Sequence, residues 1–121
     1  MSFLGILKEL VEGTDKGVAS ALMGVDGLAI EKYVNSSSSY DVETIGIEYG
    51  KVLSEIKNAS SILSLGSVEE VVVNTLGTDI ILRIVSEEYY IAFAVGHGGN
   101  VGKARYLLRR AVARTRKELL V

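Results

Sequence analysis

Apolar residues recur at two periods along this chain, and the switches between them mark out its elements. Residues 2–12 place Phe3, Leu4, Leu7, Leu10 and Val11 at helical spacing, with Gly13 to end the helix. Residues 18–24 and 28–34 are short β-compatible runs around Asp26-Gly27, a dipeptide that favours a hairpin turn. A polar loop, residues 35–39, ends in a serine able to cap the next helix. Over 40–64, Val42, Ile45, Tyr49, Val52, Ile56, Ala59 and Leu63 step by threes and fours to Gly66, which predicts one long amphipathic helix. Strands follow at 68–76, 79–85 and 89–95, rich in Val, Ile and Tyr. The turns between them are too short for a parallel crossover, so they are expected to lie antiparallel. A last helix, 101–118, turns Val101, Ala104, Leu108, Ala111, Val112, Thr115 and Leu119 to one side. The order α-β-β-α-β-β-β-α predicts an α+β fold, a five-stranded antiparallel sheet with helices packed on it, as a single domain over 1–121.

Composition narrows the chemistry. At 48% hydrophobic and 23% charged, 121 residues can bury one real core but not two. Cysteine is absent, which excludes disulfides and thiolate chemistry. No apolar run approaches the roughly 20 residues that span a bilayer, and the N-terminus lacks the basic start and small-residue site of a signal peptide. A soluble, cytoplasmic protein with no membrane insertion is expected. Net charge is only −2, but it is polarised. Residues 1–100 hold 14 acidic and 6 basic side chains, net −8; residues 101–121 hold 7 basic and 1 acidic, net +6.

The sequence "GHGGN" at 96–100 poses the question of a nucleotide loop. Gly96 and Gly98 supply G-x-G, but the third glycine position of a dinucleotide motif falls on Val101. The loop also follows the last strand, so no second parallel strand can complete the unit. A phosphate loop fails too, since Gly102-Lys103 is followed by Ala104 rather than Ser or Thr. The glycines read as a strand-to-helix joint with Asn100 as N-cap. His97 is the only histidine, and with no cysteine it cannot assemble structural zinc. No serine stands in a G-x-S-x-G elbow. The pairs Glu69-Glu70 and Glu87-Glu88 point to opposite faces or lie in a turn and read as solvated surface. No catalytic set, cofactor or metal site is expected. The basic last helix lacks aromatic interleaving and a groove-reading motif, which disfavours nucleic acid as a partner and makes an acidic protein surface or a partner subunit the better one.

The long helix carries Gly46 and Gly50 four residues apart, each costing about 0.5–1 kcal/mol relative to alanine inside a helix. Another backbone coming close there would explain them. It is either the protein's own sheet or the same helix of a second copy, with Ile47 and Tyr49 flanking the seam. Proline is absent from every strand, leaving the sheet edges open to a partner strand and favouring the second copy.

The whole chain resembles the Roadblock light-chain family, which includes Roadblock-type dynein light chains, small Ragulator subunits and MglB-like bacterial proteins. The residues that carry the likeness are "GVASALMGVDGLAIEKY" at 17–33 and "NVGKARYLLRRAV" at 100–112, with Asn100, Gly102, Ala104, Arg105 and Tyr106 matching a closing N-x-G-x-A-R-Y helix start. The resemblance implies a homodimer whose long second helices pack together and whose sheets join. That would place Ile45, Gly46, Tyr49, Gly50, Leu53, Val71 and Val73 at the interface. It implies a non-catalytic scaffold or regulator that binds a small Ras-like GTPase and modulates its nucleotide cycle. Arg105 and Arg109 are the candidates for a supplied arginine finger, although Arg105 sits in the first helical turn, where a structural role is expected. The alternative is a small-molecule sensory module of PAS or profilin-like fold. That reading needs polar residues aimed into the core, whereas the inward strand positions read as uniformly apolar.

Overall fold

The computed structural model describes residues 2–35 and 40–120. Helix α1 (Phe3–Glu12) starts where the Ser2 hydroxyl accepts from Gly5 N at 3.0 Å, and it buries Ile6, Leu7, Leu10 and Val11. Strands β1 (Gly17–Gly24) and β2 (Ala29–Val34) form the hairpin. Gly27 takes φ +92°, and the Asp26 carboxylate accepts from Leu28 N at 3.1 Å, which closes the turn. Helix α2 (Val42–Ile62) is followed by β3 (Glu70–Val73), β4 (Thr78–Ile84), β5 (Tyr89–Gly96) and α3 (Val101–Leu119). The element order and the five-stranded antiparallel sheet are those the pattern predicts.

Two boundaries differ for local reasons. The cap expected at Ser39 lies outside the described residues. The N-cap of α2 is Asp41, whose carboxylate accepts from Thr44 N at 3.1 Å and Thr44 Oγ1 at 2.7 Å. Strand β3 is four residues long, not nine, because a side chain turns the chain early. The Thr75 hydroxyl accepts from the backbone N–H groups of Gly77 and Thr78 and donates to Thr78 O at 2.6 Å.

The strands are ordered β2-β1-β5-β4-β3, so the first hairpin joins the last three strands through β1 against β5. Alternation along each strand builds two cores. Helices α1 and α3 cover one face, burying Ile81, Ile91, Phe93, Leu108 and Val112. Helix α2 alone covers the other, over Ala19, Ala21, Met23, Tyr90 and Ala92. It packs on β2, β1 and β5. On the β4–β3 side of that face, Val71, Val73 and Ile84 stay half-buried.

The inward positions are not uniformly apolar, as the sequence had suggested. Ser20 is fully buried and donates to Leu7 O at 3.2 Å, tying β1 to α1. Asp79 is 5% exposed, and one of its carboxylate oxygens has no partner among the described residues.

Candidate interaction surface

The two helix glycines face this chain's own sheet. A Cβ at Gly46 would stand 2.9 Å from the Met23 side chain on β1, and one at Gly50 would overlap the Tyr90 hydroxyl on β5. That hydroxyl donates to Gly46 O at 2.8 Å. Burial raises the phenol's pKa, with the nearby Asp26 charge adding to it. Leu53, 2% exposed, belongs to the same core.

A second stripe on α2 runs beside this buried one. Ile45, Tyr49, Val52, Ile56, Ala59 and Leu63 repeat at steps of four and three, which aligns them along one flank. Val52 is 44% exposed and Leu63 66%, while Ile45, Tyr49 and Ile56 are half-buried. The flank leans toward β3, since Ile56 and Ser60 line a groove with Val68, Glu69 and Glu70. Ile45, Tyr49, Val71 and Val73 pack on the same core cluster. Of the seven residues expected at a dimer interface, these four lie at the border of the open surface, whereas Gly46, Gly50 and Leu53 point into the protomer.

On the opposite face of β3, Val72 packs on the α1–α3 core and Glu70 brings a charge. The Glu70 side chain is only 8% exposed, not solvated as expected, and holds two arginines. Arg83 Nη1 donates to Oε1 at 3.2 Å, and Arg105 Nε donates to Oε2 at 2.7 Å, with Arg105 Nη2 in ion-pair contact with the same oxygen at 2.7 Å. This network ties β3, β4 and the first turn of α3 together. Glu69 faces solvent, consistent with adjacent strand residues pointing to opposite faces.

The start of α3 explains itself residue by residue. Asn100 Oδ1 accepts from Lys103 N at 2.9 Å as the N-cap. Ala104 is fully buried against the sheet, while Gly102 and Tyr106 are exposed. The glycine loop is a joint between strand and helix. Gly98 has φ +86°, and a Cβ at Gly99 would meet Asp15 O at 2.9 Å. His97 is exposed.

Among the described residues, no three His, Cys, Asp or Glu side chains are grouped to hold a metal ion, and no helix is long and apolar enough to cross a membrane. An open groove of about 700 Å³ lies between the end of α2 and the β4–β5 turn. Lys57, Ser61, Val68, Ile84, Glu87 and Arg116 are among its lining residues.

No protein-family model matches this chain, and no curated protein does. Solved structures do. MglC from Myxococcus xanthus is 33% identical over 98% of this chain and 99% of its own, with a TM-score of 0.71. A Roadblock/LC7 domain from Streptomyces avermitilis superposes with a TM-score of 0.87 over 98% of each chain, at 17% identity. The gliding protein MglB from Thermus thermophilus matches 95% of this chain and 86% of its own, with a TM-score of 0.86 and 12% identity. The last two share the fold. MglC adds likeness in sequence along the full length.

Proposed function

This chain belongs to the Roadblock/LC7 family, and on that premise we propose that it is a non-catalytic homodimeric platform that binds a small Ras-like GTPase and modulates its nucleotide cycle. The observation that carries the reading is the one-sided cover of the α2 face. A single helix packs on β2, β1 and β5, and its apolar flank of Ile45, Tyr49, Val52 and Ile56 stands open beside Val71 and Val73. The same flank of a second copy would bury both surfaces, and β3 is the edge strand on that side. Apolar burial of this kind is worth about 25 cal/mol per Å² before association costs. The seam then lies on this flank, with the helix glycines serving the protomer's own core.

In the arginine-finger version of the reading, Arg109 is the available group. It is exposed, while Arg105 is held by Glu70. The alternative, a small-ligand module, has the groove beside Lys57 and Arg116 in its favour.

The test is affinity capture from native lysate with excess GTP analogue or GDP, read by mass spectrometry. A small GTPase recovered more strongly in one nucleotide state supports the platform. Capture with no GTPase in either state turns the reading to the groove and a screen of small ligands.

A further inference from the structure

Seven of the thirteen basic residues fall in α3, and three of them are engaged within the protomer. Arg105 binds Glu70, Arg114 donates to Glu9 at 2.7 Å, and Arg116 donates to Val85 O at 2.7 Å. The other four, Lys103, Arg109, Arg110 and Lys117, are exposed. None of these four forms a salt bridge among the described residues; Arg110 sits 6.0 Å from the centre of the Tyr106 ring.

Their placement is linear. Lys103, Arg110 and Lys117 are spaced by seven, which puts them on one line along the helix, about 21 Å from end to end at 1.5 Å per residue. Ala104, Leu108, Ala111, Val112 and Thr115 are buried on the opposite side. They hold the helix flat on the sheet, so the cations run parallel to the sheet plane. Tyr106, 52% exposed, and Leu120, 88% exposed, share the outer side.

This geometry selects among anionic partners: the acidic protein surface that the sequence pattern favours would have to match cations spread along about 21 Å of helix, which a diffuse potential meets without matching. The chain shows no groove-reading motif around α3, and a single strand would need a series of stacking aromatics where there is only Tyr106. A bilayer surface presents a diffuse negative potential that meets all four cations at once, and amphipathic Tyr106 suits the headgroup level. The acidic residues of α2, Glu43, Glu48 and Glu55, lie on the far side of the sheet. They are two layers away, beyond a Debye length of roughly 8 Å at physiological salt. The nearer acids are Glu9, which pairs with Arg114, Glu12, which accepts from the Tyr33 hydroxyl at 2.6 Å, and half-buried Glu118 on α3 itself, the one acid against seven basic residues of that helix.

We propose that the outer face of α3 docks the protein on a membrane surface bearing anionic phospholipids. The inference does not depend on the GTPase reading, because the line of Lys103, Arg110 and Lys117 lies on the face of the sheet away from α2; Arg109, which borders the groove at the β3 edge, is the one cation the two readings share.

The experiment is co-sedimentation of the full chain with phosphatidylcholine vesicles, with and without phosphatidylglycerol, at low and raised ionic strength. Binding is expected only with phosphatidylglycerol, falling steeply with salt. Each basic residue near such a surface is worth roughly fivefold, so Arg110→Gln with Lys117→Gln should weaken partitioning by roughly 30-fold. Lys51→Gln on α2, the opposite side, should leave it unchanged, and thermal melts should confirm that both proteins are folded. Equal binding to both vesicle types, no binding to the anionic vesicles at low salt, or an equal loss with Lys51→Gln would overturn the proposal. So would tighter binding to duplex DNA by fluorescence anisotropy, which would assign the face to nucleic acid.

Discussion

Tyr90 on β5 donates a 2.8 Å hydrogen bond to the carbonyl of Gly46 and fills the space that a side chain at Gly50 would need. The two glycines therefore answer to one phenol and to Met23, both in the same chain. Their cost in helix propensity is offset by the depth at which α2 settles on β1 and β5. The helix is consequently held by two different surfaces: a tight, small-residue face on its own sheet and an apolar flank that the protomer leaves open.

Gly50→Ala should lower stability by about 1–2 kcal/mol despite alanine's better helix propensity, because the added methyl must displace the Tyr90 ring. Combining it with Tyr90→Phe, which removes the obstructing hydroxyl, should cost less than the sum of the single changes. Chemical denaturation at two protein concentrations gives the readout, and the loss should be the same at both. A neutral Gly50→Ala, or a cost that grows on dilution, would remove the intraprotomer account.

The open flank sets the expectation for assembly. By light scattering the protein should have twice the 13.0 kDa chain mass, and Val52→Glu should return it to the chain mass. Like charges brought together across a symmetric seam cost several kcal/mol. Val52 is 44% exposed in the protomer, so the folded chain should tolerate the change within about 0.5 kcal/mol. A wild-type protein at chain mass, or a Val52→Glu protein at wild-type mass, contradicts the seam.

Periodicity made the elements legible because most helices and strands bury a single face. The turn at Asp26-Gly27 and the cap at Asn100 were readable because their residue types have few other uses. The end of β3 was not, since Val73 and Leu76 look alike in a pattern, and only the Thr75 hydroxyl decides where the strand stops. Glu70 was misplaced on the surface because its partners, Arg83 and Arg105, are 13 and 35 residues away. The direction of the Gly46–Gly50 face was equally hidden. Spacing says that something comes close, and only the packed strands say what.

Glu70 and Arg109 separate architecture from interaction at the β3 edge. Glu70→Gln leaves Arg83 and Arg105 without their counter-charge, and the Arg83 side chain is only 15% exposed. The loss should be about 2–3 kcal/mol, seen as a lower denaturation midpoint. Arg109→Ala, at an exposed position, should leave the midpoint within about 0.5 kcal/mol. With a cognate GTPase in hand, Arg109→Ala should reduce any stimulated hydrolysis more than Arg105→Ala does after correction for folded fraction. The reverse order would make Arg105 the contributing group.

Acid should release the start of α2. Hydrogen bonds from the Thr44 side chain and backbone hold the Asp41 carboxyl below its ordinary pKa of 3.8. A carboxylate whose pKa is lower folded than unfolded contributes stability that is full above the unfolded value. That contribution disappears as pH falls through the folded one. Asp41→Asn keeps a side-chain acceptor at the N-cap but cannot titrate. The other carboxylates titrate in both proteins, so the informative quantity is the stability of wild type minus that of Asp41→Asn. It should favour wild type at neutral pH, where an anion sits at the positive end of α2, and shrink toward zero or below as pH drops under about 4. Denaturation curves collected across that range give the difference directly, and a difference that stays constant would mean the cap works through its geometry alone, without its charge.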